Sequence, residues 1–311
     1  MTLEQANSSQ TTASADSPIG WYIVGALFVC TFSVFGVSIY SFIILTTPMS
    51  QENGWNAVQT GSLVSAMWLV APLALISGVL NKLSNPWRLI AAGVLMQAVV
   101  LISMTIVTEF WQLYALRIIM GLGKVMALAA APMILAKSFS SRFATAMAIV
   151  WAGGAAGGIV MSPLTESLIS MMSWQMAATI ISAGLILVSM SALLAERSLS
   201  PPPKQTGNSD HEADAPPVSL SLTSVIQQIS VLRAAASIIA VTGAGMAAIA
   251  VLAQQPKFLN EAGLPASAAA LILGITAVGC FFGSGTIGWC LDNFHGVVSS
   301  LLVSVSVLLG L

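Results

Sequence analysis

The sequence predicts an all-α polytopic membrane protein, and three observations carry that prediction. Of the 311 residues only 7% are charged and 57% are hydrophobic, with a mean hydropathy of +0.91. A soluble domain needs about 25% charged residues to face water, which this chain cannot supply. Apolar runs long enough to cross a bilayer core of about 30 Å follow one another along the chain. Runs of that length satisfy their own backbone as helices, which hydrocarbon requires. The net charge of −1 points to no class of partner, and no basic patch suggests nucleic acid.

The polar stretch 1–19 carries no Lys or Arg and no short apolar core with a cleavage site, so it reads as a disordered tail rather than a signal peptide. Spans follow near 21–46, 57–80, 88–107, 110–136, 143–170 and 175–195, making a six-helix bundle over 20–196. The segment 197–233 contains SLSPPPKQTGNSDHEADAPP, an unstructured linker, and ends in SLTSVIQQISVLR. There Leu222, Val225, Ile226, Ile229 and Leu232 recur at helical spacing, as in an amphipathic helix lying on the membrane surface. A second, partial bundle occupies 234–311, with runs near 235–256 and 265–289 and a last one from Val297. That last run, of 15 residues, covers about 22 Å, so it is expected to stop in mid-helix. A carrier ending there is expected not to transport, since three helices cannot wall the second side of a cavity.

Basic residues set the orientation. With a cytoplasmic N-terminus the inner loops hold Lys82, Arg88, Lys137, Arg142, Arg197, Lys204 and Arg233, and the outer loops only Lys257. The tail and the central linker are therefore expected in the cytoplasm, and the protein in the plasma (cytoplasmic) membrane. Trp21, Trp55, Trp87, Trp111, Trp174 and Trp289 fall near span ends, as an interfacial aromatic belt requires.

Few residues carry chemistry. Cys30, Cys280 and Cys290 lie in apolar runs without C-x-x-C spacing and read as small hydrophobes. His211 and His295 fall in cytoplasmic loops, and Glu52, Glu109, Glu166 and Glu261 near outer span ends. No metal site, cofactor or nucleophile with its base is expected, and the chain is not expected to be an enzyme.

The exception is LRIIMGLGKVMAL, residues 116–128, which puts Arg117 and Lys124 inside an apolar run. Each cation at mid-bilayer costs about 2.5–3.5 kcal/mol unless water or a partner offsets it. Seven residues make almost two helical turns, so both project from one face about 10.5 Å apart along the axis. A shared cavity would solvate both and suit a carboxylate, Arg117 bidentately and Lys124 as a point charge. Alternatively Arg117 snorkels to the interface or makes a structural bond within the bundle. Tyr40, Gln97, Tyr114 and Gln254 are further candidates for polar lining. GLGK is not a phosphate loop, since position 118 is Ile and position 125 is Val.

Six spans, a long inner loop and the start of a second set resemble the major facilitator superfamily of transporters. The loop SGVLNKLSNPWR matches its G-x-L-x-D-R-x-G-R-R pattern in degraded form, with Asn81 on the acid, Lys82 on the Arg and Arg88 just past the end. The equivalent loop of the second half, IGWCLDNFHG, keeps Gly288 and Asp292 but has Asn293 for the Arg. Their equivalent positions resemble an internal repeat, and the resemblance implies a gating role for Asn81, Lys82, Arg88 and Asp292. LRIIMGLG is similar to the fourth-helix R-x-x-x-G-x-G pattern through Arg117, Gly121 and Gly123. WAGGAAGG is similar to the fifth-helix G-P-x-x-G-G pattern of exchangers, with Gly154 in the Pro position. Gly153, Gly154, Gly157 and Gly158, with Pro163 beyond them, equally form a small-residue packing face. The opening GWYIVGALFVCTFSVFGVSIYSF, the stretch SRFATAMAIVWAGGAAGGIVMSPLTESLI and QQPKFLNEAGLPASAAA resemble the monocarboxylate porter and oxalate–formate exchanger branch.

What this implies is a monomeric secondary carrier of a small organic anion, a carboxylate, working by alternating access as a symporter or antiporter. Two alternatives stay open: a carrier of neutral or amphipathic solutes, and a non-transporting membrane sensor or scaffold.

Overall fold

The structure, a computed structural model, describes residues 18–70, 73, 85–139, 142–199, 251, 252 and 254–293. The tail, the linker with its amphipathic helix, most of the seventh run and the run from Val297 lie outside the described residues. So do Asn81, Lys82, the side chain of Asp292 and residues 74–84, which include most of the loop after the second run.

The first span is one long rod in three parts: α1 (Pro18–Phe35), a π-helical turn (Gly36–Ser41) and α2 (Phe42–Asn53). It stops at Gly54, whose φ of 69° is the left-handed stop that glycine adopts without strain. The rod exceeds the expected 21–46 because the mostly polar stretch TTPMSQEN stays helical, with Met49 buried and Pro48 inside it. Next comes α3 (Ala57–Ala66), opened by a capping box in which Asn56 Oδ1 accepts from Gln59 N–H and Gln59 Oε1 from Asn56 N–H, both at 2.9 Å. Helix α4 (Pro86–Ser103) starts with Asn85 as cap and Pro86 at N1, where a missing N–H costs nothing.

The run expected as one helix over 110–136 is two: α5 (Phe110–Ala129) and α6 (Ala131–Ser138). Pro132 explains the break, because it cannot donate to the carbonyl four residues earlier and its ring crowds it. Helices α7 (Phe143–Met171) and α8 (Trp174–Leu199) come next, and α9 (Ala266–Asn293) follows after the helical stretch 254–261. No strand occurs among the described residues. Six of the described helical segments are long and apolar enough to cross a membrane: Ile19–Asn53, Pro86–Ile106, Phe110–Ser138, Phe143–Met171, Trp174–Ser198 and Ala266–Gly283.

Packing follows the small residues. Helix α7 lies between α1 and α9, α4 lies between α5 and α8, and α3 rests on α5. Helices α4 and α5 cross backbone to backbone: a Cβ at Gly123 would stand 2.7 Å from the Gly93 carbonyl oxygen. In lipid such close approach, rather than expulsion of water, supplies much of the attraction between helices. Around these crossings Leu27, Val34, Ile90, Leu101, Leu113, Met120 and Leu135 build one buried core.

Candidate functional site

The two cations of α5 sit deep in the bundle, and their surroundings differ. Arg117 is 1% exposed and does not reach an interface. Its Nε donates to the Leu63 carbonyl at 3.1 Å and its Nη1 to the Ser38 carbonyl at 3.0 Å. Local backbone geometry explains why those acceptors are available. In the π-turn, Phe42 N–H is shared by the carbonyls of Val37 and Ile39, passing over Ser38. At the end of α3, Met67 N–H turns to Ser65, and so does Trp68 N–H at 2.9 Å, leaving Leu63 without its ladder donor. Arg117 supplies the donors that two irregular helix segments lack, which satisfies buried carbonyls otherwise orphaned in hydrocarbon. Its guanidinium carbon also stacks 3.5 Å from the centroid of the Phe42 ring.

Lys124 is 5% exposed, and its Nζ has no hydrogen-bond acceptor among the described residues. It is held by π-faces alone, 4.0 Å from the centroid of Trp68 and 4.5 Å from that of Phe35. Such contacts offset about 1–2 kcal/mol each, but leave all three ammonium hydrogens undirected toward any oxygen of the described residues. Among the described residues Arg117 is thus a hydrogen-bonded cation, and Lys124 one without an oxygen acceptor.

Sequence reasoning passed over the rings. Phe35 and Phe42 are seven residues apart on the first span, as Lys124 and Arg117 are on α5, and the two spans run in opposite directions. Ring and cation therefore pair in register: Phe42 with Arg117, Phe35 with Lys124. That matched spacing was the available signal.

The other candidates fall around this pair or away from it. Tyr40 is buried, and its ring lies where a Cβ at Gly158 would reach it at 2.4 Å. Gln97 is fully buried, and neither its Nε2 nor its Oε1 has a partner among the described residues. Tyr114 packs with Phe110 at 6.2 Å between ring centroids. Gly121 and Gly123 are the crossing points of α5: a Cβ at Gly121 would stand 2.2 Å from the Met67 carbonyl oxygen. Gly153 and Gly157 face the backbone of the first span at Phe28 and Phe32, while Gly154 faces the Phe35 ring. Pro163 is accommodated within α7.

Arg88 projects outward at the start of α4 and pairs with Glu196 near the end of α8, Nε to Oε1 at 2.9 Å and to Oε2 at 3.2 Å. Asn85 Nδ2 donates to the same carboxylate at 3.1 Å. Both partners lie before residue 200, Arg88 on α4 and Glu196 on α8. At the opposite end, Glu52 Oε2 accepts from Trp174 Nε1 and, at 3.3 Å, from Gln175 Nε2, tying α2 to α8. No cluster of His, Cys, Asp or Glu able to hold a metal occurs among the described residues.

Comparison with known proteins places this geometry. The human monocarboxylate transporter 12 is 28% identical over 190 residues, 60% of this chain and 36% of the relative's own length. The chain thus spans little more than a third of that relative. A bacterial homologue of the human lysosomal transporter Spinster has a similar fold in two solved structures. The inward-facing unoccupied form matches with a TM-score of 0.63 at 18% identity, covering 90% of this chain and 65% of that one. The inward-facing occupied form matches with a TM-score of 0.62 at 18% identity, covering 91% and 63%. The sequence profile of the Major Facilitator Superfamily matches residues 26–311. This chain is an integral membrane protein belonging to the Major Facilitator Superfamily of transporters.

Proposed function

We propose that the protein is a secondary active carrier of a small carboxylate, moved by alternating access between its two helical sets. The observation that carries this reading is Lys124: a buried ammonium between two aromatic faces, with no oxygen bonded to it among the described residues. A buried cation without a counter-charge is costly, and an incoming carboxylate relieves that cost while gaining a charge-assisted contact. The name of the human relative, a monocarboxylate transporter, agrees with the charge and size of such a ligand. Arg117 positions the first span and α3 around the site. Gln97, whose amide is unpartnered, and Tyr40 are proposed as further lining.

The proposed organisation is a cytoplasmic tail over 1–19, a six-helix bundle over 20–196, a cytoplasmic linker over 197–233 and part of a second bundle over 234–311. A monomer in the plasma membrane is proposed, and Asn81, Lys82, Arg88 and Asp292 are proposed as gating residues.

The test is uptake of labelled 2-hydroxypropanoate and propanoate by the full-length protein in liposomes. Losing one partner of a buried charge contact costs about 2–5 kcal/mol, so Lys124→Gln should cut uptake roughly thirtyfold or more. Uptake that survives Lys124→Gln unchanged removes the anion site and leaves a carrier of neutral solutes.

A further inference from the structure

Trp68 joins the Lys124 site to α9. Its ring lies against Lys124, with Nζ 4.0 Å from the centroid. The same ring packs against a cluster in which Ile39 and Tyr40 of the first span meet Met67 and, from α9, Leu273 and Ala277. A side chain held between those two contacts passes a movement of α9 on to the place where Lys124 is covered.

The backbone under Trp68 departs from the regular helix. Trp68 N–H donates to the Ser65 carbonyl at 2.9 Å and Leu69 N–H to the Ala66 carbonyl at 3.3 Å, three residues back rather than four. A tighter turn of this kind inside a long helical run often marks a hinge. One face of α5 follows the segment up to that turn: Arg117 bonds the Leu63 carbonyl, Gly121 leaves room for the Met67 carbonyl, and Lys124 meets the Trp68 ring. The indole N–H is a second sign. Trp68 Nε1 is buried and has no acceptor among the described residues. A buried indole N–H usually finds one, so packing rather than bonding keeps the ring where it is. Lys124 Nζ, in the same contact, also lacks an acceptor. Both donors therefore gain from a movement that parts them. Phe35, the other ring against Lys124, has no polar atom to release and is met edge-on by Trp151 of α7, with centroids 5.6 Å apart.

We infer that Trp68 is the shutter of the Lys124 site: its ring covers the ammonium while α9 packs behind it, and swings aside on the turn beneath it when α9 withdraws. Leu273 and Ala277 are its backing. Access to Lys124 is thereby tied to the position of a helix that lies far along the chain, beyond residue 265. The inference rests on Lys124 being the place a solute reaches, but its test uses no solute, so either reading can fail without the other.

The test is acetylation of Lys124 by sulfosuccinimidyl acetate in the full-length protein in nanodiscs, its rate read by mass spectrometry of the peptide that carries Lys124. Exposed Lys257 in the same sample calibrates the reagent. Trp68→Ala should speed acetylation of Lys124 about tenfold, the factor carried by one desolvated ring contact. Trp68→Phe, which keeps a ring in place, should leave it slow. Leu273→Ala removes part of the backing and should speed it too. Added to Trp68→Ala, it should bring no further gain, since both changes act through one ring.

Unchanged acetylation in Trp68→Ala overturns the inference, and so does an equal gain in Trp68→Phe. Gains that multiply in the double variant also overturn it, because Trp68 and α9 would then act apart. Buried Cys30, labelled with N-ethylmaleimide in the same variants, reports loosened packing. Should Cys30 gain as much as Lys124, the bundle has opened as a whole and the shutter is refuted. A gain confined to Lys124, reversed by Trp68→Phe and not increased by Leu273→Ala, is the expected result.

Discussion

Replacing each buried cation by methionine should cost stability at Arg117 and little or none at Lys124. Arg117→Met removes two charge-assisted bonds, to the Leu63 and Ser38 carbonyls. Each is worth about 1.5–3 kcal/mol, so the loss is about 3–6 kcal/mol. Stacking on Phe42 goes too, for about 1–2 kcal/mol more. Relief from holding a cation at this depth returns about 2.5–3.5 kcal/mol. The net loss is about 0.5–5.5 kcal/mol, and the two carbonyls left buried without donors push it toward the upper part of that range. Lys124→Met breaks no hydrogen bond to the described residues. It forfeits two ring contacts of about 1–2 kcal/mol each, which sulfur–ring contacts of about 0.3–1.5 kcal/mol partly replace. The same relief of about 2.5–3.5 kcal/mol then leaves stability between about 1 kcal/mol lower and about 3 kcal/mol higher. Equilibrium unfolding in mixed micelles reads both numbers. A loss above about 1 kcal/mol for Lys124→Met, or none for Arg117→Met, would refute the division into one satisfied and one unsatisfied cation. Functional groups that cost stability are expected where binding needs them.

Other consequences are simpler to check. Glu52→Ala frees Trp174 and Gln175 at the junction of α2 and α8, and should cost about 1–3 kcal/mol in the same unfolding assay. Arg88→Ala breaks an exposed pair with Glu196, and should cost no more than about 1 kcal/mol. If the proposed gating role holds, it should nonetheless change the transport rate in liposomes. Gly93→Leu forces a side chain into the α4–α5 crossing, where a Cβ would already stand 2.4 Å from the Gly123 carbonyl oxygen. It should abolish folded yield, read by size-exclusion chromatography of the fluorescently tagged protein.

The bundle was legible because lipid makes the sequence speak plainly: a run of apolar residues of the right length has one viable conformation, the helix. Ends that depend on local chemistry also read well, such as Asn85-Pro86 opening α4. What could not be read is where a helix departs from regularity. Nothing in GVSIYS announces a π-turn, nor that the Ser38 carbonyl it passes over accepts from Arg117 across the bundle. The division of labour between Arg117 and Lys124 was hidden for the same reason. Spacing places both on one face, but only the free carbonyls of Ser38 and Leu63 decide that Arg117 is the one satisfied. The aromatic partners could have been found from the shared seven-residue spacing of Phe35 and Phe42.

The glycine run of α7 joins these levels and permits a sharper separation of packing from function. Its two faces do different things. A Cβ at Gly157 would stand 2.4 Å from the Phe32 carbonyl oxygen and 2.9 Å from the Gly36 Cα, both backbone atoms that cannot turn aside. Gly157→Ala must therefore push α7 from the first span, at about 1–3 kcal/mol, the usual cost of overpacking. A Cβ at Gly154 instead meets the Phe35 ring, 2.9 Å from Cδ2. That ring can tilt, but it is one of the two faces against Lys124. Gly154→Ala should therefore change stability by less than Gly157→Ala and carboxylate uptake by more. If the two variants lose stability and uptake in the same proportion, the glycines serve packing alone and Phe35 has no part in the site. If Gly154→Ala alters the apparent KM while the unfolding midpoint holds, the exchanger-like glycine motif acts by setting the ring that faces the lysine.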